Sequence, residues 1–128
     1  MSLPNEVVPL LAGAKKYEIS RSLRFNAGDS VYLSRTPASA GNRKTWTWSG
    51  WIKVAGASGD ILGCYSSRDD SGNFEFRFTA NYELQVCLWN YLTTTNAVFR
   101  DRSGWYHIVL VIDTTVSSGS KVKIYVNG

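Results

Sequence analysis

Residues 104–128 read GWYHIVLVIDTTVSSGSKVKIYVNG. Two apolar runs, 105–113 and 121–126, are separated by a loop of Thr, Ser, Val and Gly. The second run alternates Lys121, Lys123 and Tyr125 with Val122, Ile124 and Val126, the period of a strand with one buried face. The first is nearly continuous from Ile108 to Ile112, which predicts a strand covered on both faces. A short polar loop between them makes the pair antiparallel. Working outward, residues 45–54 (TWTWSGWIKV) alternate just as clearly. Trp46, Trp48, Gly50, Ile52 and Val54 share one face; Thr45, Thr47, Ser49, Trp51 and Lys53 share the other, and the first set is the core face.

Further strands are predicted at 60–65, 74–79, 83–89 and 97–100, with loops at 66–73 and around 93–96. Two more, at 22–25 and 31–34, flank Asn26–Asp29, where Gly28 and Asp29 supply the backbone angles of a tight turn. Turn residues recur about every ten positions and no segment carries an i, i+3, i+4, i+7 stripe. The fold class is therefore all-β, a sandwich or a barrel. Residues 1–20 lack either period and contain Pro4 and Pro9, which remove backbone donors, so they form an extended N-terminal arm. Its apolar residues Leu3, Val7, Val8, Leu10 and Leu11 are a partner-binding strip, expected to order against another polypeptide or a second copy of this chain, and to make the protein a homo-oligomer.

The chain has 128 residues and a net charge of +4. That length supports one domain, and the absence of an apolar run of 18 or more residues excludes a membrane-spanning helix. The N-terminal basic pair follows the apolar run instead of preceding it, against a secretory signal. The cations are dispersed, without the clustered groove that tracks phosphates, so no nucleic-acid partner is expected. Cys64 and Cys87 lack a CxxC spacing and are expected to be reduced and unligated.

These runs resemble a known family. The strand at 45–54 is similar to the aromatic strand that opens laminin G-like, concanavalin A-like jelly-roll domains, and 104–128 resembles their Trp-x-His strand, Asp, polar loop and YVNG strand. The resemblance implies an antiparallel β-sandwich of the jelly-roll type over residues 21–128, and because family domains run on past this hairpin, a domain incomplete at its C-terminal end. Residues 22–53 resemble the opening of such modules in bacteriophage tail-fibre and other virion proteins. The function implied is a non-enzymatic virion protein, a tail-fibre or appendage component acting in assembly or host-surface glycan recognition, with other virion proteins or its own copies as partners. The alternative is a carbohydrate-binding module of a secreted or surface protein.

Glucanases of the same fold place two carboxylates about the scissile bond, with an E-x-D-x-x-E signature on one strand. Here Glu75 and Glu83 are isolated, and His107 has no nucleophile beside it in sequence, so no enzyme activity and no cofactor are expected. Asp69, Asp70, Ser71 and Asn73, joined by Asp60 or Asp101, have the oxygen chemistry of a calcium loop. The same residues are what an ordinary turn uses, and no metal is expected. Sugars stack on exposed rings. Trp89, Asn90 and Tyr91, with Tyr82 at the preceding turn, are the carbohydrate-binding candidates, packing being the equal alternative for Trp89 and Tyr91. Trp51 lies on the polar face of its strand, whereas Trp46, Trp48 and Trp105 are assigned to the core.

Overall fold

The computed structural model describes residues 20–56, 58–64, 73–88, 91–117 and 119–128. The chain divides into two compact units, Met1–Ala38 and Ser39–Gly128. The arm's partner strip Leu3, Val7, Val8, Leu10 and Leu11 lies outside the described residues, as do Trp89, Asn90 and the 69–72 part of the acidic loop.

In the first unit the expected strands at 22–25 and 31–34 do not form, and Ala27–Asp29 is a 3-10 turn. The Asp29 amide donates to the Asn26 carbonyl at 3.2 Å, and the Asn26 side-chain amide to the Asp29 carboxylate at 3.1 Å. These local bonds compete with a ladder, and an isolated two-stranded hairpin has too little to pack against. The left-handed residue of the turn is Ser30, at φ 50°, and not Gly28.

The second unit contains β1 (Thr45–Ile52), β2 (Gly59–Cys64), β3 (Phe74–Phe78), β4 (Glu83–Leu88), β5 (Tyr91–Val98), β6 (Tyr106–Asp113) and β7 (Val122–Val126). They form two antiparallel sheets, β1-β6-β7 and β2-β3-β4-β5. The all-β sandwich expectation holds. One boundary moves: the residues assigned to a loop around 93–96 belong to β5, which begins at Tyr91 and pairs Leu92 with Cys87 and Thr93 with Val86. Consecutive threonines look like loop by polarity, yet their branched Cβ suits an edge strand.

Phe76, Leu84, Val86, Ile108, Leu110 and Ile112 are the largest fully buried side chains. Trp46, Trp48 and Ile52 pack on this core, as the alternation of β1 requires. The sheets meet through edge-to-face aromatic pairs, Trp46 on Phe74 at 5.0 Å and Trp48 on Phe76 at 5.8 Å between ring centroids. Phe99 extends this layer, touching Phe78 at 6.2 Å and Tyr106 at 5.5 Å. Such pairs add about 0.5–1.5 kcal/mol each beyond the area they bury.

Gly50 is the inward position beside Trp48, and a Cβ there would come within 2.9 Å of the indole ring. Its missing side chain is what lets the indole lie along the strand. Gly50→Ala is expected to destabilise by about 1–3 kcal/mol through overpacking, read as a lower chemical-denaturation midpoint with an unchanged slope.

Cys64 and Cys87 do not pair with each other. Cys64 is opposite Phe74 and Cys87 opposite Glu75, so β3 lies between them. Two strand spacings come to about 9.6 Å, beyond the roughly 7 Å that a disulfide spans between Cα atoms.

Candidate functional site: the outer face of the three-stranded sheet

On β6 the near-continuous apolar run divides by parity. Ile108, Leu110 and Ile112 are buried, whereas Val109 and Val111 are half-buried on the opposite face. The expectation of cover on both faces is met on one side only among the described residues. That outer face carries an aromatic strip. β1 and β6 pair Trp51 with His107 and Ser49 with Val109, and β7 sets Tyr125 opposite Val109. The Trp51 and His107 rings lie 5.0 Å apart with a tilt of 39°. Trp51 is 52% exposed and Tyr125 48%.

Trp105, assigned to the core from sequence, is 47% exposed and lies just before β6. The parity of β6 explains the correction: 105, 107 and 109 run along the outer side, and Tyr106 takes the inward place, packing on the core.

The strip rests on a rigid frame. Asn127 adopts a left-handed backbone, φ 60°, which Asn tolerates better than most residues. Its N–H donates to the His107 carbonyl at 2.8 Å, and its side-chain oxygen accepts the His107 N–H at 3.0 Å. Both backbone polar groups of the histidine are therefore engaged, and its Cα is fixed opposite that of Trp51 on the neighbouring strand. Thr47 and Ser49 supply exposed hydroxyls on the same face.

Two turns border the sheet and share one chemistry. Asp101 accepts from the Ser103 hydroxyl at 2.6 Å and the Ser103 N–H at 2.8 Å. Asp113 accepts likewise from Thr115, at 2.6 and 2.9 Å. In each case the side-chain hydroxyl bond is the largest cause holding the carboxyl below its ordinary 3.8; nearby Lys53 and Lys123 act in the same direction on Asp101 and Asp113 respectively. A carboxyl depressed in the folded state stabilises it above the unfolded-state value, and the contribution disappears as pH falls through the folded value. Thermal stability is therefore expected to drop below about pH 4. The double variant Asp101→Asn/Asp113→Asn, which keeps the acceptor oxygens but cannot titrate, should flatten that acid limb in melting curves recorded against pH.

The candidates from sequence do not form one cluster. Tyr82 and Tyr91 stand at opposite ends of β4, which at about 3.3 Å per residue separates them by about 20 Å. Tyr91 is half-buried opposite Leu88. Tyr82 packs on the core, has φ 65°, and is held by Arg102, which donates to its hydroxyl and lies 5.5 Å over its ring. Its carbonyl accepts the Phe99 N–H at 2.8 Å. Tyr82 therefore holds a strained turn in place. Trp89 and Asn90 fall outside the described residues. Of the residues forming the strip, Trp51 was visible in the alternation of its own strand. Tyr125 was visible likewise, and His107 was not, because its place beside Trp51 depends on the register of β1 and β6.

Glu75 is ion-paired with Arg77 at 3.2 Å, and Glu83 accepts from the Thr79 hydroxyl at 2.9 Å. Among the described residues no group of three or more His, Cys, Asp or Glu could hold a metal ion. A family model described as the concanavalin A-like lectin/glucanases superfamily, of laminin G type, matches residues 25–128. The chain belongs to this superfamily. No curated protein and no solved structure matches it. Superfamily membership accounts for the ordering of aromatic strand and closing hairpin in this laminin G-like domain, and it admits both lectins and glucanases, so the site has to be argued from its own chemistry.

Proposed function

We propose that this domain is a non-catalytic recognition module that binds carbohydrate through the outer face of its three-stranded sheet, as part of a bacteriophage tail fibre or related virion appendage. The observation that carries the binding role is the exposed Trp51 ring lying tilted beside the His107 ring, with Tyr125 exposed on the same face. The apolar face of a pyranose packs on a ring of this kind, and hydroxyl or amide groups alongside fix its orientation. Thr47 and Ser49 are placed for that on β1. The virion setting is supported by the likeness of residues 22–53 to phage appendage modules. In that setting the partners are host-surface glycan, other virion proteins and further copies of the chain.

The test is an array of neutral and acidic oligosaccharides probed with the purified chain, followed by tryptophan-fluorescence titration of the oligosaccharide giving the strongest signal. Saturable quenching that is lost on changing Trp51 supports the proposal. An array without signal, or binding indifferent to Trp51, overturns it.

A further inference from the structure

The four-stranded sheet carries a different arrangement on its outer face. The alternation that sends Phe76, Leu84 and Val86 into the core turns Glu75, Arg77 and Gln85 outward. Arg77 Nε donates to Gln85 Oε1 at 2.9 Å, and Gln85 Nε2 donates to Thr94 Oγ1 at 3.0 Å. With the Arg77–Glu75 ion pair at 3.2 Å, a polar chain crosses β3, β4 and β5. Arg77 is opposite Gln85, which is opposite Thr94, so the chain follows the strand pairing itself. These bonds fix the rotamers of long side chains before any ligand arrives, which lowers the ordering cost of binding.

The backbone around this chain is shaped as well. β2 has a register shift between Asp60 and Leu62, and β5 has one opposite the Glu83–Gln85 segment of β4. On the β5 side the Leu84 N–H donates to Thr95 Oγ1 at 3.0 Å, while that hydroxyl donates to the Ala97 carbonyl at 2.9 Å. Bulges bend and twist a strand locally and are enriched where a sheet re-aims side chains. Beside the polar chain lies an open depression of about 480 Å³ lined by Ser58, Asp60, Arg77, Thr79 and Gln85 among others. The lining mixes cationic and amide donors with carboxylate and hydroxyl acceptors. Arg77, already neutralised by Glu75, still has guanidinium N–H donors beyond the two bonds named, and Gln85 a second amide N–H.

We propose that this depression is a second carbohydrate subsite, which reads the hydroxyls of an uncharged sugar by hydrogen bonding, and that one domain therefore engages glycan on both sheets. It rests on the carbohydrate reading above for its ligand class only. Vicinal hydroxyls each donate and accept, and the lining sets the Arg77 and Gln85 donors beside the Asp60 carboxylate. Arg77 is charge-compensated by Glu75 and the lining adds the Asp60 carboxylate, so a carboxylated or sulfated sugar gains no net attraction there. Two sites on opposite outer faces of a sandwich allow one domain to bridge two glycan chains.

The experiment is amide chemical-shift mapping of the full chain, titrated with the neutral oligosaccharide giving the strongest array signal, for the wild type, Arg77→Ala and Trp51→Ala. Two separate patches are expected. The patch around Arg77, Gln85 and Thr94 should persist in Trp51→Ala and weaken about tenfold or more in Arg77→Ala. Shifts confined to the Trp51 face overturn the second subsite and leave the proposed function standing. Shifts confined to the Arg77 face support the subsite and remove the aromatic face from the proposed function. No shifts at either face overturn both.

Discussion

Trp48→Ala is expected to destabilise the domain by about 3–5 kcal/mol, the cost of removing a large core aromatic and leaving a cavity. For a unit of this size that is a fall in melting temperature of at least about 12 °C. The indole packs on the core and meets Phe76, itself fully buried, edge to face, so the substitution also removes one of the contacts joining the two sheets. The coupling to Gly50 sharpens the test. A Cβ at Gly50 clashes only with the Trp48 ring, so Gly50→Ala should be costly in the wild type and nearly neutral in the Trp48→Ala background. A double-mutant cycle by chemical denaturation measures this coupling, expected at about 1–3 kcal/mol. Additive costs would mean that the ring does not lie over Gly50.

Trp51→Ala is expected to act on binding far more than on folding. Truncating a central aromatic anchor of a binding surface costs about 2 kcal/mol or more, which weakens affinity about thirtyfold. Trp51 is 52% exposed, so its loss should cost about 0.5–1.5 kcal/mol of stability, the worth of its ring pair with His107 and well below the cost at Trp48. The pair of measurements separates the two faces of β1: alternate residues of one strand, Trp48 and Trp51, should give opposite profiles in melting temperature and in fluorescence titration. A large loss of stability in Trp51→Ala would mean that the outer face is a packing surface.

The alternation of residues 45–54 and 121–126 was enough to assign strands and inward faces, because strand parity is a local property: a side chain's face follows from its position in the run. The same logic placed Trp48 and Ile52 correctly. It failed at Trp105, assigned to the core for its place in a strand read as covered on both faces, and at residues 93–96, where threonine in an edge strand has the composition of a loop. It also failed at 22–25 and 31–34, where apolar residues beside a turn signal read as strands and local Asn26–Asp29 bonding prevailed.

What the sequence by itself determined is the fold class, the inward faces of β1 and β7, and the kinship with laminin G-like domains through its aromatic strand and closing hairpin. Only the tertiary structure decided which outward residues meet. Trp51 and His107 are 56 positions apart, and Arg77, Gln85 and Thr94 come from three strands. Their contacts are set by the order of strands in each sheet and by register. Both are collective consequences of burying one core, and a register shift of a single residue would exchange every inward side chain for its outward neighbour.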